Sequence, residues 1–271
     1  MRELLAPLRV LRYSAGNAWA DMWVIFSPLT WSLGWVSRVL VQVVFFALIG
    51  LLVDSDDAVR YLFIGNAVMI TAMEATMSVT TTTWERRQGT MPLLVAAPTR
   101  LWPVFVGRGV QWLPTGVITA SVALFGLGPA FGVEWTLARA LTVFGCLVAV
   151  AVATYCFALL LSAIVLTVMD LHNIVSNLAQ AITMLIAGVM VPVTFWPGWV
   201  QGAAQALPLT HGLAAIRTVV DASTVASVAG DVTAGLVLTI GVGACWLLSA
   251  ALLLEYLAAA GRRSGSIEFA E

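Results

Sequence analysis

The chain has 271 residues, of which 61% are hydrophobic and 10% charged, with a net charge of −1. A water-soluble domain carries about 25% charged residues, so a water-facing surface of ordinary size is excluded. The near-zero net charge gives no electrostatic basis for binding nucleic acid. All 13 basic residues are arginine; without lysine there is neither a phosphate-binding P-loop nor a Schiff-base lysine.

Residues 1–27 do not read as a span. On a helical wheel Leu4, Leu8, Leu11, Ala15, Trp19, Met22 and Phe26 share one face, while Arg2, Arg9, Asn17 and Asp21 lie elsewhere. This predicts an amphipathic helix lying in the membrane interface over 1–28. No short apolar core with a small-residue cleavage site precedes it, so no removable signal peptide is expected.

Two charge-free gaps, between Arg139 and Asp170 and between Asp231 and Glu255, each exceed the roughly 20 apolar residues of a membrane helix. Hydrocarbon offers no partner for a free backbone group, so such gaps must be helical. The pattern predicts an all-α membrane protein with six transmembrane helices near 29–53, 60–83, 102–127, 138–168, 172–193 and 232–257. The arginines set the orientation. With the N-terminus inside, Arg2, Arg9, Arg12, Arg86, Arg87, Arg100, Arg262 and Arg263 are cytoplasmic, against Arg60, Arg139 and Arg217 outside. Both termini, including the tail 258–271, are then cytoplasmic, in the cell membrane.

The stretch 171–216 carries no formal charge and is about twice as long as one span. It is broken by Pro192, Pro197 and Pro208, with Gly198, Gly202 and Gly212 nearby. Two full spans here would place Arg262 and Arg263 outside. One span followed by helices that dip in from the outer face over 194–231 and return satisfies the charges. Such backbone must be covered by protein or line a cavity.

Between the second and third spans runs Trp84-Glu85-Arg86-Arg87-Gln88-Gly89-Thr90-Met91-Pro92-Leu93-Leu94-Val95-Ala96-Ala97-Pro98-Thr99-Arg100. It resembles the cytoplasmic segment of the ABC-2 family of exporter permeases, in which Glu-Arg, Gly-Thr, Leu-Leu and Pro recur in this order. A second resemblance lies in Gly188 to Pro192, Phe195-Trp196-Pro197-Gly198-Trp199, Leu207-Pro208-Leu209-Thr210 and Ala214 to Arg217, which look like the family's re-entrant segment. Together they cover essentially the whole chain as a single transmembrane domain.

The resemblance implies a dimer of permeases, from two copies or a related second chain, with two cytoplasmic ATPase subunits. ATP and Mg would be bound there, leaving no cofactor in this chain. It also implies a coupling helix that docks on the ATPase. Glu85, Arg86, Arg87, Gly89, Thr90, Leu93, Leu94 and Pro98 are the candidate coupling residues, with Leu93 and Leu94 as apolar anchors and the charged groups facing a polar rim. Asp170 and His172, in the turn between the fourth and fifth spans, are read as a second ATPase contact. One Asp and one His are too few for a metal site.

Inside the spans, Glu74 shares a helical face with Thr71, Ser78 and Thr82. A carboxyl there costs about 3 kcal/mol on insertion scales, so it faces a neighbour or water. Two roles fit it: lining a pathway, including one for a cationic substrate, or a protonated hydrogen bond to another helix. Arg38 and Arg108 are expected to snorkel to the interface. Phe195, Trp196 and Trp199 form a candidate external gate. His211 reads as a structural polar residue, and Cys146, Cys156 and Cys245 as small buried hydrophobes.

The predicted function is outward transport of a hydrophobic or amphiphilic small molecule such as a drug, antibiotic or lipid. A polysaccharide or glycolipid exporter is the near alternative, although the aromatic residues cluster at span ends. An integral membrane enzyme acting on lipid would need convergent catalytic groups, and a secondary transporter would need repeated broken helices. Neither accounts for the Glu-Gly-Thr-Leu-Leu loop.

Overall fold

A computed structural model describes residues 2–25, 27–87, 89–97, 99–167 and 171–264. Among these the secondary structure is helical, with no strand. Helix α1 (Arg2–Ile25) comes first. A single turn, α2 (Pro28–Thr30), then opens through a π-helical stretch, Trp31–Val36, into α3 (Ser37–Leu52). The long α4 (Asp56–Arg87) leads to the short α5 (Met91–Ala96) and α6 (Trp102–Arg108). Next come α7 (Trp112–Ser121), which widens into a second π-helical stretch, Val122–Leu127, and α8 (Leu137–Val165). The chain closes with α9 (His172–Ile186), α10 (Gly198–Gln205), α11 (Pro208–Asp221) and α12 (Ala229–Ser264).

Among the described residues, five helices are long and apolar enough to cross a membrane: Trp31–Leu52, Asp56–Glu85, Trp102–Phe131, Leu137–Val165 and Val225–Arg263. The fifth predicted span, 172–193, is α-helical only over the 15 residues of α9. That is about 22 Å of helix, short of the roughly 30 Å of hydrocarbon. The helix ends where Gly188 takes φ +87°, a conformation costly for any residue with a Cβ.

The middle of the bundle is α4, which packs against α3, α7, α8 and α9. Its core side chains include Phe63, Ile64, Val68 and Ile70, meeting Leu124, Leu147, Val150 and Leu213. A smaller cluster gathers Met91, Val95, Leu101, Phe105, Leu166 and Leu254 where α4 ends. These clusters mark two ends of the bundle, the α5 end and the opposite end where α4 begins.

Helix α9 lies alongside α4 in the opposite direction. Ser176 Oγ donates to the Thr76 carbonyl at 3.3 Å, and nearer the start of α4 the Tyr61 hydroxyl donates to the Gly188 carbonyl at 2.8 Å. The α10–α11 hairpin has its tip, Leu207 to Leu209, beside Ala72, Thr76, Thr154 and Phe157, halfway along α4. Its return leg reaches the start of α4, where Arg60 and Asp221 pair at 2.7 Å. Arg217 lies over the Tyr61 ring at 3.5 Å and donates to the carbonyls of Gly188 at 2.6 Å and Tyr61 at 3.1 Å. The Gly188 carbonyl lies past the last turn of α9, and the guanidinium gives it a partner where water is scarce.

Helix α1 packs on α6, with Ser14 and Ala18 buried at the contact and Leu8, Tyr13 and Trp23 exposed. Cys146 and Cys156 are buried as expected, whereas Cys245 is exposed on α12.

Candidate functional site

At the α5 end, Glu85 sits in the last turn of α4, buried to 6% exposure. Thr90 folds back on it: its hydroxyl donates to the Glu85 carbonyl at 2.8 Å and to Oε2 at 2.5 Å, and its backbone N–H reaches the same carbonyl at 3.0 Å. Gly89, with φ +71°, makes that reversal possible. Arg108, at the end of α6, pairs through Nε with Glu85 and through a terminal nitrogen with Asp21 of α1 at 2.7 Å. One guanidinium thus ties α1, α6 and the end of α4 together.

Glu85, expected from sequence to face a polar rim on the partner, is turned inward and paired within the chain. Arg108, expected to snorkel, has found two carboxylates, since an ion pair competes well with a headgroup where water is depleted. Arg86 and Arg87 are the last two residues of α4. Pro98 and Asp170 lie outside the described residues.

Helix α5 is held against the bundle and presents one large apolar side chain outward. Met91 and Val95, one helical turn apart, are fully buried, and Leu94 is partly buried in the same cluster, while Leu93 is 73% exposed. Arg262 Nε donates to the Val95 carbonyl at 2.9 Å, and Glu255 accepts from the Leu101 N–H at 2.8 Å, so the end of α12 braces the segment. His172 is buried at the start of α9.

Near the middle of α4, Glu74 is 1% exposed. The indole N–H of Trp35, in the π-helical stretch before α3, donates to its Oε1, and the Thr115 hydroxyl of α7 donates to Oε2 at 3.2 Å. Arg38 lies over the Trp35 ring at 4.6 Å. Thr71 and Ser78 are buried on the same side of α4. Within one chain, then, Glu74 joins three helices. At the opposite end of the bundle, Phe195 and Trp196 meet edge to face at 5.4 Å, and Phe195 and Trp199 are 70% and 79% exposed.

Sequence reasoning missed Trp35, Thr115, Asp21 and Tyr61. A signal for some partner was present, because an arginine or carboxylate inside a span needs one. Nothing local to Glu74 or Arg108 says which distant residue supplies it.

Two cavities border these groups. One of about 410 Å³ lies between α1, α5 and α6, with Tyr13, Asn17, Glu85, Thr90 and Arg108 in its wall. Another of about 300 Å³ lies between α1, the start of the first span and α7, walled by Trp19, Trp23, Trp31, Thr115 and Ile118. Among the described residues no group of three or more His, Cys, Asp or Glu could hold a metal ion.

A bundle of long apolar helices with Glu85 paired to Arg108 and Glu74 hydrogen-bonded inside is a multi-pass integral membrane protein. The family model for the ABC-2 type transporter matches residues 27–220. The chain belongs to that family of membrane transport permeases. A comparison with curated proteins gave no match.

Proposed function

We propose that this chain is the permease subunit of an ATP-driven exporter that moves a hydrophobic or amphiphilic small molecule, such as a drug, an antibiotic or a lipid, out of the cell. It pairs with a second permease and with two ATPase subunits that bind ATP and Mg, and it lies in the cell membrane with both termini cytoplasmic. Six crossings serve this topology, the fifth being the short α9 together with the segment after it. The α10–α11 hairpin then enters from the outer face and returns.

The observation that carries the reading is the build of α5. A six-residue helix whose inner side is locked by Met91, Val95 and the end of α12, and whose Leu93 is 73% exposed, is a rigid apolar knob. Such an anchor suits a groove on a partner. Glu85, Gly89 and Thr90 shape the loop, so their part in coupling is to hold it rather than to touch the ATPase.

The pathway is proposed to run beside α9. This helix exposes Asn173 and Asn177 next to Ile174 and Leu178, and a short helix with outward amides is poorly suited to lipid. That face fits a second permease copy and the cargo between them. Glu74 acts behind it, and Phe195, Trp196 and Trp199 stand at the outer exit.

The test is co-purification of the partner ATPase with Leu93→Ala. An apolar hot spot typically costs more than ~1 kcal/mol on truncation, so ATPase recovery and export should fall several-fold while the protein still inserts. Full recovery together with normal export would remove α5 as the docking element.

A further inference from the structure

We propose that the facing polar sides of α4 and α7 hold bound water, and that this track gives Glu74 aqueous contact with the α5 end inside a single subunit. The proposal goes beyond the transport role. On α4, Glu85, Thr82, Ser78, Glu74 and Thr71 recur every three or four residues and are 6%, 2%, 1%, 1% and 1% exposed. On α7, or just before it, Gln111, Thr115 and Thr119 recur every four and are 4%, 6% and 0% exposed. The two faces meet. Thr115 donates to Glu74, and a Cβ built on Gly116 would lie 3.1 Å from Cβ of Glu74 and 3.5 Å from Cα of Thr71.

Three of these deeply buried side chains keep a polar atom with no protein partner: Ser78 Oγ, Gln111 Oε1 and Thr119 Oγ1. Buried polar atoms are rarely left unpaired, and internal water is the usual partner. A site for it exists. A cavity of about 10 Å³, close to the space one water needs, is lined by Asp21, Thr81, Arg108 and Gln111, with Met22, Trp84 and Trp112 completing its wall. The first four offer both donors and acceptors. Arg108 is also in the wall of the 410 Å³ cavity at the α5 end. From that end inward the order is the large cavity, Arg108, the water-sized site, Gln111 and Ser78, and then Thr115 with Glu74. Water along this track lets the Glu74 carboxyl exchange its proton with the α5 side while the side chains around it stay packed.

Thiol accessibility tests it. In a background carrying Cys146→Ala, Cys156→Ala and Cys245→Ala, single Ser78→Cys, Gln111→Cys, Ala75→Cys and Ala120→Cys variants in sealed vesicles are exposed to silver ion, a thiol reagent no larger than a water molecule, and the loss of free thiol is followed. Ala75 and Ala120 are as buried, at 2% and 0%, but lie in apolar clusters. The reactive species is the thiolate, which needs water, so positions 78 and 111 should react at least about ten-fold faster than the controls, from the α5 side. Equal rates, or reaction only from the other side, overturn the proposal. Melting of Ser78→Ala and Thr119→Val gives a second reading. In a dry seam, removing an unpaired polar atom raises the melting temperature, and a rise of several degrees in both variants would also overturn it. An unchanged or lower value supports bound water. Neither measurement uses transport or ATPase, so either can fail while the permease reading stands.

Discussion

Helices α4 and α12 are both long and apolar, yet they occupy opposite places in the molecule. In the apolar window of Asp56–Glu85 89% of residues are buried, against 17% for Val225–Arg263. The buried one is the less apolar, with mean hydropathy 1.4 against 2.2. In a soluble protein the order would be reversed. In a bilayer, lipid tails are as apolar as leucine and give no reason to bury it, while hydroxyls and a carboxylate must find partners. The polar helix goes to the middle because only there can Thr71, Glu74 and Glu85 be satisfied. The leucine-rich α12 covers the outside, with Leu248 and Leu252 64% and 73% exposed.

The largest effects should come from the buried helix. Arg108→Ala leaves Glu85 buried without its cation, and breaking a buried pair costs about 3–5 kcal/mol. The variant should melt well below the parent in detergent, and adding Glu85→Gln should recover part of the loss. A variant as stable as the parent would mean that the Asp21–Arg108–Glu85 tie holds nothing.

Phe63, fully buried and stacked on Phe131 at 4.7 Å, gives the packing version of the same contrast. Phe63→Ala should cost about 3–5 kcal/mol, whereas Leu252→Ala on α12 should stay within about 0.5 kcal/mol. Comparable losses for the two in thermal unfolding would show that α12 is covered by protein and not by lipid.

Glu74→Gln keeps an oxygen for the Trp35 indole and removes the ionisable carboxyl. Its stability should change by no more than about 1 kcal/mol and its assembly with the ATPase should be intact, while export or cargo preference shifts. Unaltered export across a cargo series would leave Glu74 a joint between helices only. Smallest of all is the Arg60–Asp221 pair, whose side chains are 37% and 57% exposed. Asp221→Asn should cost less than about 1 kcal/mol. A larger loss in a melting curve would mean that this end of the hairpin is shielded from water.

Composition and charge spacing were enough for a multi-pass helical protein and for a segment broken around Pro192, Pro197 and Pro208, and the loop from Trp84 to Arg100 carried the resemblance to a known family. Each is a local property, because a span is a run of apolar residues and a break is a proline or glycine within one. The length of α9 was not legible, since Val189 to Val191 continue the apolar run beyond the point where the backbone turns at Gly188. Nor was the inward turn of Glu85, which depends on Arg108 standing beside it. The bond from Trp35 to Glu74 joins residues 39 apart and that from Arg108 to Asp21 joins residues 87 apart. Sequence by itself determined that the Glu74 carboxyl needs a neighbour or water, because an ion buried alone in hydrocarbon is costly, while it sent Arg108 to the interface. Only the tertiary structure decided which partners, because the choice depends on how distant helices cross and which of their faces meet.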